Sequence, residues 1–277
     1  QGRFVATKMS VITGCQFSKL ISIEEDGGAI YSEDFEINIS DCSFGQCTAK
    51  QGGAISFIYY EKQCTNYLTN CIFSRCRSTC GGAIYDGTVV ESAIVIDSCQ
   101  FESNSASDLS QQDGAETKSG NDYRGGAIYL YYKSAEIKNC TFNNNLGTNG
   151  CNIYLDLDSS SEIVIDNCSI QFSQDSEKVL SCSSSIYFSM DENLVANPKI
   201  VLRNSTIINS FSNSNEVEGN LQYHFQSNNL NFEFVFSENN CVDKEQGETA
   251  LSPESLNVQI DSCSDDGKSS GIEENSS

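Results

Sequence analysis

One short pattern recurs down the chain and limits what it can fold into. An apolar-flanked Cys-x-Phe leads to Gly-Gly-Ala-Ile, and the pair returns about every 25 to 29 residues, with one longer unit. The copies run from Val11 through Cys15 and Phe17 to Gly27-Gly28-Ala29-Ile30, then from Ile37 through Cys42 and Phe44 to Gly52-Gly53-Ala54-Ile55. A third takes Cys71 and Phe73 to Gly81-Gly82-Ala83-Ile84, and a fourth takes Cys99 and Phe101 to Gly125-Gly126-Ala127-Ile128. A fifth carries Cys140 and Phe142 to Gly150-Cys151-Asn152-Ile153, with degenerate copies beyond. Within each unit apolar residues alternate, as in Ile37-x-Ile39, and Asp or Asn precedes the Cys; this is the period of short strands and tight corners. About three strands per unit are too few to close a core alone. Successive units must therefore stack, with their strands paired in parallel about 4.8 Å apart.

The chain is thus expected to be all-β, a parallel β-helix. The handedness preference of parallel crossovers favours the right-handed form. Seven to eight coils over residues 1–263 would make a rod of roughly 35 to 40 Å, with 264–277 as an acidic polar tail or linker. Phe17, Phe44, Phe73, Phe101 and Phe142 should form one inward ladder, and Cys15, Cys42, Cys71, Cys99, Cys140 and Cys168 another.

The Gly-Gly-Ala-Ile tetrapeptide together with Phe-x-x-Asn (Phe101 to Asn104, Phe142 to Asn145) resembles the repeat of the chlamydial polymorphic outer-membrane proteins. Related repeats occur in large surface proteins of protists, and both resemble the pectin-lyase-like β-helix superfamily. The resemblance covers about residues 10 to 210 and implies a secreted or cell-surface protein used in adhesion or envelope structure. Cys47 and Cys76 stand where that repeat has Asn. The superfamily also includes polysaccharide lyases and hydrolases, so a carbohydrate-active enzyme is the alternative. The hydrolase motifs Asn-Thr-Asp, Gly-His-Gly and Arg-x-Lys are missing, and the only His is His224.

Sixteen basic against thirty-eight acidic residues give a net charge of −22, which argues against nucleic acid or anionic lipid as partner. No apolar run is long enough to span a bilayer, and no cofactor is implied. The chain starts at Gln1 without a signal peptide and reads as an excised part of a longer protein. Fourteen Cys suit an oxidising, extracellular compartment. Stacked thiols have near-parallel Cβ vectors and should stay free, whereas Cys47 and Cys76, at equivalent corners of neighbouring coils, are the candidate disulfide. Among five Asn-x-Ser/Thr triplets, Asn38 and Asn204 are the candidate glycosylation sites, because Asn139 and Asn167 sit beside the thiol ladder.

Acid and base stand in register only where Lys138 falls between Asp97 and Asp166, two residues before the Cys. Corner side chains satisfying one another are the simpler account of that row. Glu24-Glu25-Asp26 and Asp156 with Asp158 match no known calcium spacing, so no metal or catalytic residue is assigned. The residue after each Gly-Gly-Ala-Ile should point outward, giving the row Tyr31, Ser56, Tyr85, Tyr129, Tyr154, Tyr187. Tyr85, Tyr129, Tyr154 and Tyr187 are the candidate binding face for a protein or glycan partner, or else stack only to stabilise the sheet. An insertion from Ser103 to Tyr123 is a second candidate surface. The resulting expectation is a non-enzymatic structural or adhesive segment, of a kind that can serve as one component of a larger assembly.

Overall fold

In a computed structural model the backbone is described for residues 2–87, 90, 92–109, 123–131, 134–157, 161–174, 185–190, 198–211, 221–225, 233–237, 240–243 and 257–261. Side chains are described within these as far as Thr206, apart from 172–174 and Met190. The centre of the insertion (110–122), Asp158, Cys182, Cys263 and the tail lie outside the described residues, as do the side chains of His224 and Cys241.

Each turn lays down one strand on each of several sheets, and every strand pairs in parallel with its equivalent one turn away. In one turn Ile55–Ile58 lies on the first sheet, Thr65–Thr69 on the second, Ile72–Ser74 on the third and Arg77–Ser78 on the fourth. The next turn repeats this with Ile84–Asp86, Ala93–Asp97, Gln100–Glu102 and Ser105–Ala106. The fourth sheet has strands in four successive turns, and a bridge from Ser105 to Leu146 extends it to a fifth. The chain is therefore an all-β parallel β-solenoid of about five turns. Strands on the other three sheets follow these turns as far as Asn257–Asp261. Four sides per turn, and not three, is a difference from the sequence reading. The fourth-sheet strands are two residues long, too short to show alternation.

Turns close tightly because of the glycine pair. Gly81 has φ +62°, and a Cβ built on Gly82 would lie 2.1 Å from the carbonyl oxygen of Gly126 on the next turn. The first position needs the left-handed backbone region and the second admits no side chain, so two adjacent glycines serve different ends.

The core is a set of columns. Ile30, Ile55, Ile84, Ile128, Ile153 and Ile186 stack in register on the first sheet, all fully buried. On the third sheet Phe17, Phe44, Phe73, Phe101 and Phe142 stack with ring centroids 4.7 to 4.9 Å apart and planes within 5°. This spacing equals the rung spacing, so hydrogen bonds of the sheet hold the rings at contact distance.

Candidate functional site

The polar rows singled out as candidates for chemistry lie at the corner between the second and third sheets. Asp41, Asn70, Ser98, Asn139, Asn167 and Asn204 occupy it with φ between 52° and 57°. Short polar residues tolerate this left-handed conformation best, which explains their recurrence before each Cys. Their side chains bond along the row. Asn70 Nδ2 donates to Asp41 Oδ1 at 2.6 Å, Asn139 Nδ2 to Asp97 Oδ1 at 2.8 Å, and Asn167 Nδ2 to Asn139 Oδ1 at 2.7 Å.

The acid and base residues are tied into the same row. Asp97 also accepts from Ser98 Oγ at 2.9 Å, and the bond from Asn139 chiefly holds its carboxyl below the usual carboxylate range. Partial burial opposes ionisation of Asp166, yet the bonds from Asn204 Nδ2 (2.8 Å) and Arg203 Nε (3.0 Å) outweigh it and keep that carboxyl low as well. Lys138 pairs with Glu136 at 2.8 Å, and that bond raises its pKa. A general acid needs a pKa pushed up toward the working pH; here both carboxylates are pushed down.

This arrangement predicts a pH dependence. A depressed folded pKa contributes stability above the unfolded pKa, and that contribution is lost as pH falls through the folded value. An Asp97→Asn, Asp166→Asn double variant should therefore be less stable than the parent at neutral pH. The deficit should shrink as pH falls below the ordinary carboxylate range, as read by thermal midpoints across pH. A deficit that grows in acid would contradict the row's electrostatics.

Inside the corner runs the thiol column. Cys42, Cys71, Cys99, Cys140 and Cys168 are buried free thiols, and Cys15 is half-buried. Each does the work of a corner donor: Cys99 Sγ donates to Asp97 O at 3.3 Å and to Leu68 O one turn away at 3.6 Å. The backbone N–H of Cys99 in turn donates to Cys140 Sγ at 3.5 Å. Where the column reaches Ser205, the hydroxyl takes over, accepting from Cys168 N at 3.1 Å and donating to Arg203 O at 2.8 Å. Burial pushes the Cys42 and Cys76 thiols up in pKa, so neither forms thiolate readily. Native alkylation should leave Cys42, Cys71, Cys76, Cys99 and Cys140 unmodified, and denaturant should expose all five to the reagent. Rapid labelling of any of them in the folded protein, read by peptide mass, would contradict this burial.

Cys47 and Cys76, offered by the sequence as a bridge, are both free thiols, and the disulfide is not made in this structure. Cys76 Sγ points at Phe44 O (3.6 Å) and Ser74 O (3.7 Å), and Cys47 Sγ at Phe17 O (3.9 Å) and Gly45 O (3.7 Å). Both therefore act as backbone partners, as the ladder thiols do. They continue a column of asparagines: Cys76 N donates to Asn104 Oδ1, and Asn104 Nδ2 to Asn145 Oδ1, each at 2.9 Å. Cys151 is disulfide-bonded.

The outward tyrosine row is in register, with Tyr85, Tyr129, Tyr154 and Tyr187 paired rung to rung. Their rings stack at 5.1 Å with planes within 10°. The stack is not an open face. Tyr129, Tyr154 and Tyr187 are only 5%, 3% and 9% exposed, and each interior ring already has neighbours on both sides. A sugar ring would find no free face on Tyr129 or Tyr154, whose rings have neighbours on both sides, whereas Tyr85 at the end of the stack is half-buried. Sequence alternation gave the direction of these side chains but carried no sign of their burial.

Of the glycosylation candidates, Asn204 is exposed at its corner, as are Asn139 and Asn167. Asn38 is half-buried on the outer face of the second sheet between Val11 and Tyr67. Among the described residues no group of three or more His, Cys, Asp or Glu is placed to hold a metal ion, and no helix is long and apolar enough to cross a membrane. Comparison with models of known protein families, with curated proteins and with solved structures finds no match.

Proposed function

We propose that the chain is a structural or adhesive rod, a right-handed β-helix of seven to eight coils within a secreted or cell-surface protein. The observation that carries this reading is the corner row, in which polar and charged side chains that an enzyme would aim at a substrate are bonded to one another along the axis. Strands on three sheets beyond the five full turns support the longer helix. The disulfide at Cys151 suits an oxidising compartment. Such a rod presents flat, rigid rows to a protein or glycan partner and would serve as one component of a larger assembly. The partner would meet exposed outer residues such as Tyr67 and Ile72, each 45% exposed, in place of the buried Tyr129 and Tyr154.

The test joins two measurements on native source material. Chemical cross-linking with mass spectrometry should join the chain to other proteins, and incubation with acidic polysaccharides, with and without Ca²⁺, should release no product. Reproducible product formation would overturn the structural reading in favour of a carbohydrate-active enzyme.

A further inference from the structure

The tyrosine stack has a chemistry that the phenylalanine column lacks. Both columns hold rings face to face on neighbouring rungs, at 5.1 Å for tyrosine and 4.7 to 4.9 Å for phenylalanine. A phenol, unlike a benzene ring, loses one electron and its hydroxyl proton together to give a neutral radical. The unpaired spin of that radical lies partly on the ring carbons beside the hydroxyl-bearing carbon. Two such radicals held ring against ring couple to each other in preference to anything in solution, because their effective concentration is set by the sheet.

The surroundings supply the other parts. Asp156 Oδ2 lies 3.5 Å from the Tyr129 hydroxyl, on the same outer face, and is placed to receive its proton. Burial, with the Asp156 charge adding to it, raises the pKa of that hydroxyl, so the proton leaves only when an electron does. Tyr85 and Tyr131 are half-buried and pack against the buried three. Tyr85 therefore offers an entry for oxidising equivalents, which pass to Tyr129 across overlapping rings.

We infer that this stack is a site of oxidative cross-linking, in which tyrosines on neighbouring rungs, Tyr129 and Tyr154 foremost, become joined by a ring-to-ring dityrosine bond. The reaction consumes two equivalents of a one-electron oxidant, such as the high-valent haem of a peroxidase. Each phenol gives up one electron and its O–H proton. The two radicals then form one carbon–carbon bond between ring carbons beside the hydroxyls. Each ring next transfers the hydrogen at its new bond to its oxygen, which restores both phenols. Two tyrosines thus become one biphenol, with two electrons delivered to the oxidant and two protons released. The product staples two turns of the rod covalently, with the joined rings turned out of their face-to-face stack. The inference is independent of which partner the rod meets.

The experiment treats the whole purified chain with a photo-excited ruthenium polypyridyl complex and persulfate, a small outer-sphere one-electron oxidant. Monomeric product is digested and searched by mass spectrometry for peptides joined with loss of two hydrogens. The expected result is a linked pair carrying Tyr129 and Tyr154, accompanied by dityrosine fluorescence. A Tyr129→Phe, Tyr154→Phe variant keeps rings that stack and lacks the two phenols, so it should lose that linked peptide and most of the fluorescence. Tyr67→Phe, which removes an exposed phenol away from the stack, should leave the yield in monomer unchanged. Linked peptides found only between molecules through Tyr60 or Tyr67, or a monomer yield that falls in Tyr67→Phe, would overturn the inference. An unchanged yield in the double variant would do the same.

Discussion

Truncating Phe73 to alanine is expected to lower the unfolding free energy by about 3–5 kcal/mol, the upper range for a buried large-to-small change. Phe73 is fully buried, with Phe44 at 4.8 Å on one side and Phe101 at 4.9 Å on the other. Removing it uncovers two ring faces at once. The gap cannot close by moving the turns together, because their separation is set by backbone bonds such as Ile72 N to Cys42 O and Gln100 N to Cys71 O, both 2.9 Å. Phe73→Leu refills part of the volume and should cost less. Urea denaturation measures both; a loss under about 1 kcal/mol for the alanine variant would mean that the column is not packed as described.

The second large effect is expected at Gly82. A Cβ there meets only backbone: Gly126 O at 2.1 Å, Ser105 N at 2.6 Å and Ser105 C at 2.7 Å. No side chain can turn aside to make room, so Gly82→Ala must push neighbouring turns apart. The expected cost is about 3 kcal/mol or more, the high end of overpacking. Gly45 is the matched control, since a Cβ on it has nothing within 4 Å, and Gly45→Ala should stay within about 0.5 kcal/mol. Equal tolerance at the two positions, read by thermal unfolding, would show that the turns do not approach as closely as this account requires.

Much of this architecture was legible because a solenoid repeats its reasons. Phe17, Phe44, Phe73, Phe101 and Phe142 recur at one phase of the repeat, and nothing but stacking buries five such rings at that spacing. The thiol column and the hydrogen-bonding corners at Asn70, Asn139 and Asn167 followed from the same phase, though not the left-handed backbone there. What sequence could not give depends on contacts between different parts of a turn. The burial of Tyr129 and Tyr154 is one instance, because alternation fixes only that they point outward from the solenoid. Asn66, fully buried on the second sheet in a column with Ile37 and Ile94, is another. Its Oδ1 accepts from Ile37 N at 3.1 Å and from Tyr59 O–H at 2.7 Å, and Tyr59 lies on the connection between Ile58 and Thr65, outside the repeated motif. Cys47 and Cys76 are a third instance: their equivalent corners do bring the thiols beside each other, yet both are free and each is also turned to backbone carbonyls, a choice the sequence does not encode.

The central claim is that residues one repeat apart stand on adjacent rungs of parallel sheets. Pulsed electron paramagnetic resonance tests it directly, using spin labels placed by unnatural amino acids on the outward row of the third sheet. Gln16 and Thr141 are four rungs apart in register, and Gln16 and Thr206 six. The account predicts backbone separations of about 19 Å and about 29 Å, scaling with rungs and not with the number of intervening residues. Distances that fail to grow by one rung spacing per repeat would contradict it.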